Sequence, residues 1–148
     1  MITAFQYQPA RRALQAGLIC VALLTGCAPD ARLARSLIAR SLDESSPTEK
    51  IEIIVGQDEA VIVDSPRTIA AVRDELLTTR YRAASRFQKR RSVGILRFYE
   101  GGQVQLQLNC YKDSVFEVGE LTFSIPPSGE SAIRQMINEA QQGAMKMK

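Results

Sequence analysis

Gln103-Val104-Gln105-Leu106-Gln107-Leu108-Asn109-Cys110-Tyr111 alternates apolar and polar side chains without a break. A period of two puts Val104, Leu106, Leu108 and Cys110 on one face of a strand and Gln103, Gln105, Gln107, Asn109 and Tyr111 on the other. Such alternation belongs to an antiparallel sheet with one face in a core and a polar, uncharged row on the other. On its amino side, residues 93–99 form a second β-rich run, reached through Glu100-Gly101-Gly102. If Leu96 and Phe98 share the core face, they must lie opposite Leu108 and Leu106, which predicts a three-residue loop, Gly101 to Gln103, in place of a two-residue turn. On its carboxyl side, residues 114–118 and 120–125 read as a further pair about Gly119, with Leu121, Phe123 and Ile125 inward.

Working outward, residues 51–55 and 60–63 are β-branched runs separated by Gly56-Gln57-Asp58-Glu59, a hairpin signal. Asp64-Ser65-Pro66 supplies a capping oxygen and a first-turn proline for a helix whose buried stripe is Ile69, Val72, Leu76 and Leu77, ending between Thr79 and Ala84. Pro126-Pro127-Ser128-Gly129 stops the sheet and opens a last helix over residues 130–142, with Ile133, Met136, Ile137 and Ala140 on its apolar face. Strands and helices in this order predict an α+β fold: an antiparallel sheet of five to six strands with two helices on one face. The expected single domain is 51–142, followed by a frayed tail, 143–148. Ahead of it, 27–50 reads as a linker with a short helix or tether. Asp30 caps residues 31–43, where Leu33, Leu37, Ile38 and Leu42 share a face beside Arg32, Arg35 and Arg40. A tether, or a short helix packing on its own domain, is the preferred reading over contact with anionic headgroups, because thirteen residues alone bind membranes weakly.

The first 26 residues read differently. Arg11-Arg12 precede a run of about a dozen mostly apolar residues that ends in Leu24-Thr25-Gly26-Cys27, and no acid occurs before Asp30. This run falls short of the ~20 residues of a spanning helix. It resembles a bacterial lipoprotein signal peptide, and Leu24-Thr25-Gly26-Cys27 resembles the lipobox. The resemblance implies cleavage between Gly26 and Cys27, a glyceride on the Cys27 thiol and an acylated new amino terminus, so that residues 1–26 are a signal and the membrane is a partner through acyl chains. The residues after Arg11-Arg12 do not follow the twin-arginine pattern, which favours the general secretory route. Ala28, in place of aspartate, resembles the outer-membrane sorting pattern of enterobacterial lipoproteins; that implies an outer membrane facing the periplasm in a two-membrane host, and the cell surface otherwise.

Composition limits the chemistry. The whole chain has 19 basic and 16 acidic residues; loss of Arg11 and Arg12 with the signal leaves a nearly neutral domain with no call for nucleic acid. Histidine is absent, removing the commonest general base and metal ligand. With Cys20 in the signal and Cys27 acylated, Cys110 has no disulfide partner, cannot build a zinc site, and lies on the core face as an inert thiol. The acids make no calcium loop or glycosidase pair, Gly101-Gly102 is no phosphate loop, and the serines lack a nucleophile elbow. No cofactor, metal or catalytic residue is therefore expected. One charge anomaly stands out: residues 80–91 hold Arg80, Arg82, Arg86, Lys89, Arg90 and Arg91 with no acid, interleaved with Tyr81 and Phe87. These six form a candidate anion-binding set, weighed against a plain solvated loop between helix and strand. The expected function is a lipid-anchored envelope protein with a non-catalytic binding or assembly role and an envelope protein as its partner. The alternative is an accessory that binds acidic lipids or polysaccharides through 80–91, and the third reading is an unrecognised enzyme.

Overall fold

The computed structural model describes residues 28–43, 45, 47–56, 59–85, 88–126 and 131–146. Its strands are β1 (Lys50–Val55), β2 (Glu59–Val63), β3 (Arg82–Ala83), β4 (Ser92–Glu100), β5 (Gln103–Tyr111), β6 (Val115–Val118) and β7 (Leu121–Ser124). Helices α1 (Ala28–Ser41), α2 (Pro66–Thr78) and α3 (Ala132–Lys146) and a short 3-10 turn (Lys112–Ser114) complete the described elements. The strands form one antiparallel sheet in the order β2-β1-β4-β5-β6-β7-β3. The fold is thus α+β as expected, but with seven strands and three helices among the described residues. The added strand, β3, is two residues inside the basic run, too short to show any alternation.

The expected core pairing holds: Leu96 lies opposite Leu108 and Phe98 opposite Leu106. The three-residue loop does not form. Tyr99 pairs with Val104 and Glu100 with Gln103, which leaves a two-residue Gly101-Gly102 turn with φ of 55° and 76°. Two successive positive φ angles give the turn whose twist suits a hairpin, and the odd residue is absorbed as a bulge at Gln105. The bulge also turns Val104 away from the core face expected for it, leaving it 47% exposed. A second bulge at Val93 precedes Gly94, where a Cβ would meet the Ile54 carbonyl oxygen at 2.8 Å.

Helix α1 corrects the domain boundary. Ala31, Ala34, Ile38 and Leu42 are buried in the common core, whereas Leu33 and Leu37 are 55% and 40% exposed. The expected face is therefore rotated, because two alanines let the helix lie close on β7 and β3. Arg73 of α2 donates to the carbonyls of Leu42 (2.8 Å) and Asp43 (3.1 Å), and Arg35 of α1 donates to that of Leu77 (3.4 Å). These contacts run α1 antiparallel to α2 and place the amino end of α1 beside the segment leaving α2. The folded unit thus includes α1 and does not start at Ile51.

Helix α2 buries Ile69, Val72 and Leu76 and begins at Pro66 as expected, but Ser65 makes no side-chain cap. Helix α3 buries Ile133, Met136, Ile137 and Ala140 and continues to Lys146, past the expected end at Gln142 and into the tail expected to fray. Its amino end is held by α2. Glu75 accepts from the Ser131 hydroxyl (2.6 Å) and the Ile133 amide (3.0 Å), while Ser131 Oγ accepts from the Arg134 amide (3.2 Å). The buried residues of all three helices join the inward residues of the sheet in one cluster.

Candidate functional site

The basic run leaves α2 through Tyr81, which is 8% exposed, stacks on Phe123 at 4.4 Å and donates its hydroxyl to the Leu76 carbonyl (2.6 Å). Burial pushes the Tyr81 phenol well above its ordinary range. Tyr81 is therefore a core residue, which corrects its expected place beside the cations at the surface. Arg86 and Phe87 lie outside the described residues. After β3 the chain crosses the outer face of the sheet, where Gln88 and Arg90 enclose a small cavity with Tyr111, Glu117 and Thr122. It rejoins β4 where the Lys112 amide donates to the Arg91 carbonyl (3.1 Å). Gln88 and Arg90 thus lie against the outer face of the sheet, although Gln88 itself, Lys89 and Arg91 are exposed.

This path divides the cations. Arg80 and Arg82 are exposed near the β3 edge, while Lys89 and Arg91 are exposed at the start of β4. Arg90 is half-buried and donates to the Ser85 carbonyl and to Gln88 Oε1. Four strand spacings separate β3 from β4 in the sheet, on the order of 20 Å.

The polar outer row is tied across strands. Arg97 donates to Gln107 Oε1 (3.0 Å) and pairs with Glu52 (3.4 Å), which also accepts from the Tyr99 hydroxyl (2.8 Å). Asn109 donates to Glu117 at 3.3 Å. Strand β2 is the end strand of the sheet, with Ile62 49% exposed.

A cleft of about 240 Å³ opens between α3 and the carboxyl end of β5. Its apolar wall is Val93, Phe116 and Ile137, with Cys110 behind it; Arg134, Asn138 and Gln141 come from α3 and Lys112, Asp113 and Ser114 from the turn after β5. Asp113 and Ser114 both have left-handed backbone, φ 63° and 56°, a strained conformation for consecutive non-glycine residues. Gln141 donates to the Val93 carbonyl (3.3 Å), whereas Arg134 Nε is buried with no acceptor among the described residues. None of these α3 polar groups was singled out from the sequence; the signal available was a lone arginine between Ile133 and Ile137 on an amphipathic helix.

Cys110 is wholly buried, and burial pushes its thiol up to about 12. Gly26 and Cys27 lie outside the described residues. Among the described residues no group of three or more acids or cysteines could hold a metal ion, and no helix is long and apolar enough to cross a membrane. No family model, curated protein or solved structure matches the chain.

Proposed function

We propose that the chain is a lipid-anchored bacterial envelope protein, acylated at Cys27, that presents a non-catalytic binding or assembly domain. It faces the periplasm from the outer membrane in a two-membrane host, or lies on the cell surface otherwise. The observation that supports this reading is in the sequence: Arg11-Arg12 precede an apolar run that ends in Leu24-Thr25-Gly26-Cys27, and Ala31, shortly after it, lies in the core. Acyl chains on Cys27 would then hold the domain at the bilayer without a spacer. Two or more chains give stable anchoring where one is marginal. The test is the membrane fraction and amino-terminal mass of the mature product. A lipid-sized mass increase on Cys27, and loss of anchoring in Cys27→Ser, are expected; an unmodified Cys27, or a Cys27→Ser protein that is processed and anchored normally, would overturn the proposal.

A second reading, binding of acidic lipids or polysaccharides by the basic segment, is favoured at Arg80 and Arg82, which lie on the segment beside the amino end of α1. In that case retention on anionic vesicles falls steeply between low and physiological salt. Arg80→Gln with Arg82→Gln would weaken it more than Lys89→Gln with Arg91→Gln. The enzyme reading has less support, since a buried, protonated thiol is a poor nucleophile.

A further inference from the structure

The outward face of α1 has the composition of a membrane-contact surface. Ala31, Ala34, Ile38 and Leu42 fix the helix on the core, so the helical period decides which residues it turns outward. Leu33 and Leu37, both exposed, stand one turn apart as a short apolar row. Arg32, Ser36 and Arg40, also exposed, run alongside them at the same spacing. The helix carries three arginines against one acid, Asp30 in its first turn, and Asp43 follows its end. Arg35 is turned towards α2, where it donates to the Leu77 carbonyl, whereas Arg32 and Arg40 border the leucines. The other large apolar residues exposed among the described residues are Ile62 and Val104. They lie opposite Glu52 and Tyr99 on the outer face of the sheet, on strands that are not neighbours, and make no continuous patch.

We propose that this face of α1 lies along an anionic phospholipid bilayer, with Leu33 and Leu37 among the upper acyl chains and Arg32 and Arg40 at the headgroup phosphates. The inference rests on the anchored reading above, because acyl chains on Cys27, which directly precedes Ala28 in the sequence, would hold the amino end of α1 at the bilayer. A short isolated helix binds membranes weakly because it must first become ordered. Helix α1 is already ordered by its buried face and by the bonds that Arg35 and Arg73 make between it and α2. The anchor lowers the remaining cost, since a tethered surface meets its target at an effective concentration on the order of millimolar. Two leucines and two arginines then set the orientation of the domain, although they are too few to hold an unanchored chain. Ile62, on the end strand remote from β7 and on the opposite face of the sheet, is turned away from the bilayer.

The chain contains no tryptophan, so Leu33→Trp, Leu37→Trp and Ile62→Trp each install a single fluorophore at an exposed position. Each full-length variant, purified from the cells that express it, is combined with vesicles of phosphatidylglycerol and phosphatidylcholine that carry brominated acyl chains. Emission from positions 33 and 37 is expected to shift to the blue and to be quenched by bromine, whereas position 62 stays solvated and unquenched. Arg32→Gln with Arg40→Gln should lower the ratio of docked to undocked helix about tenfold, and omission of phosphatidylglycerol should act in the same direction. Positions 33 and 37 quenched no more than position 62 would overturn the proposal. A blue shift there without quenching would overturn it too, because a second copy or another protein would then cover the face. The amino-terminal mass of the same samples reports the anchor separately. An acylated chain unquenched at 33 and 37 refutes the orientation alone, and an unacylated chain still quenched there refutes the anchor alone.

Discussion

Glu75 secures a helix that begins more than fifty residues later, since it accepts from Ser131 and from the Ile133 amide at the head of α3. Glu75→Ala is expected to cost about 2 kcal/mol in urea unfolding, the sum of a lost cap and two freed donors, whereas Glu139→Ala on the exposed side of α3 should stay within about 0.5 kcal/mol. The cap was invisible in the sequence because its donor and acceptor meet only through tertiary packing. Cys110 was legible, because strict alternation fixes its face. Its thiol stands near 9 when unfolded and about 12 when folded. A folded value raised in this way stabilises the fold fully below pH 9, and that contribution is lost as pH rises towards 12. Unfolding free energy should therefore fall by up to about 1.4 kcal/mol per pH unit across that window, and Cys110→Ala should flatten the fall while costing about 1 kcal/mol at pH 7.

At the scale of elements, hydrophobic period carried most of the information and registers carried the rest imperfectly. Leu96, Phe98, Leu106 and Leu108 could be paired from alternation alone, yet a bulge and a loop of odd length satisfy that pairing equally well. The choice fell to Gly101-Gly102, whose positive φ angles make the tight turn possible. Gly102→Val should cost about 1–2 kcal/mol and Gly101→Asn close to nothing, measured by thermal unfolding, because asparagine tolerates this conformation and a β-branched residue does not. Helix α1 is legible in the sequence but its buried face is not: two leucines outweigh two alanines in the pattern, whereas close packing on the sheet rewards the small residues. Ile38→Ala should cost about 2–4 kcal/mol and Leu37→Ala less than about 0.5 kcal/mol, a contrast that a surface helix would not produce.

For the whole molecule, the fold class followed from the order of the elements, while the cleft beside α3 did not. It is assembled from the start of β4, the end of β5, β6 and α3, and no single segment signals such a meeting. The placement of α1 carries a further consequence, for the order in which the chain becomes available. The first described element rests on β7, the last described strand in the chain, and on β3, which itself pairs with β7. A polypeptide delivered amino end first by a ribosome therefore cannot dock α1 on β7 until residue 124 has emerged, although α2 and β3 are available to it earlier. Contacts so distant along the chain slow folding. They also delay closure of the core until β7 is available. A chain ended after Gly119 should leave α1 amides exchanging with solvent at nearly free-peptide rates, although every residue of that helix is present.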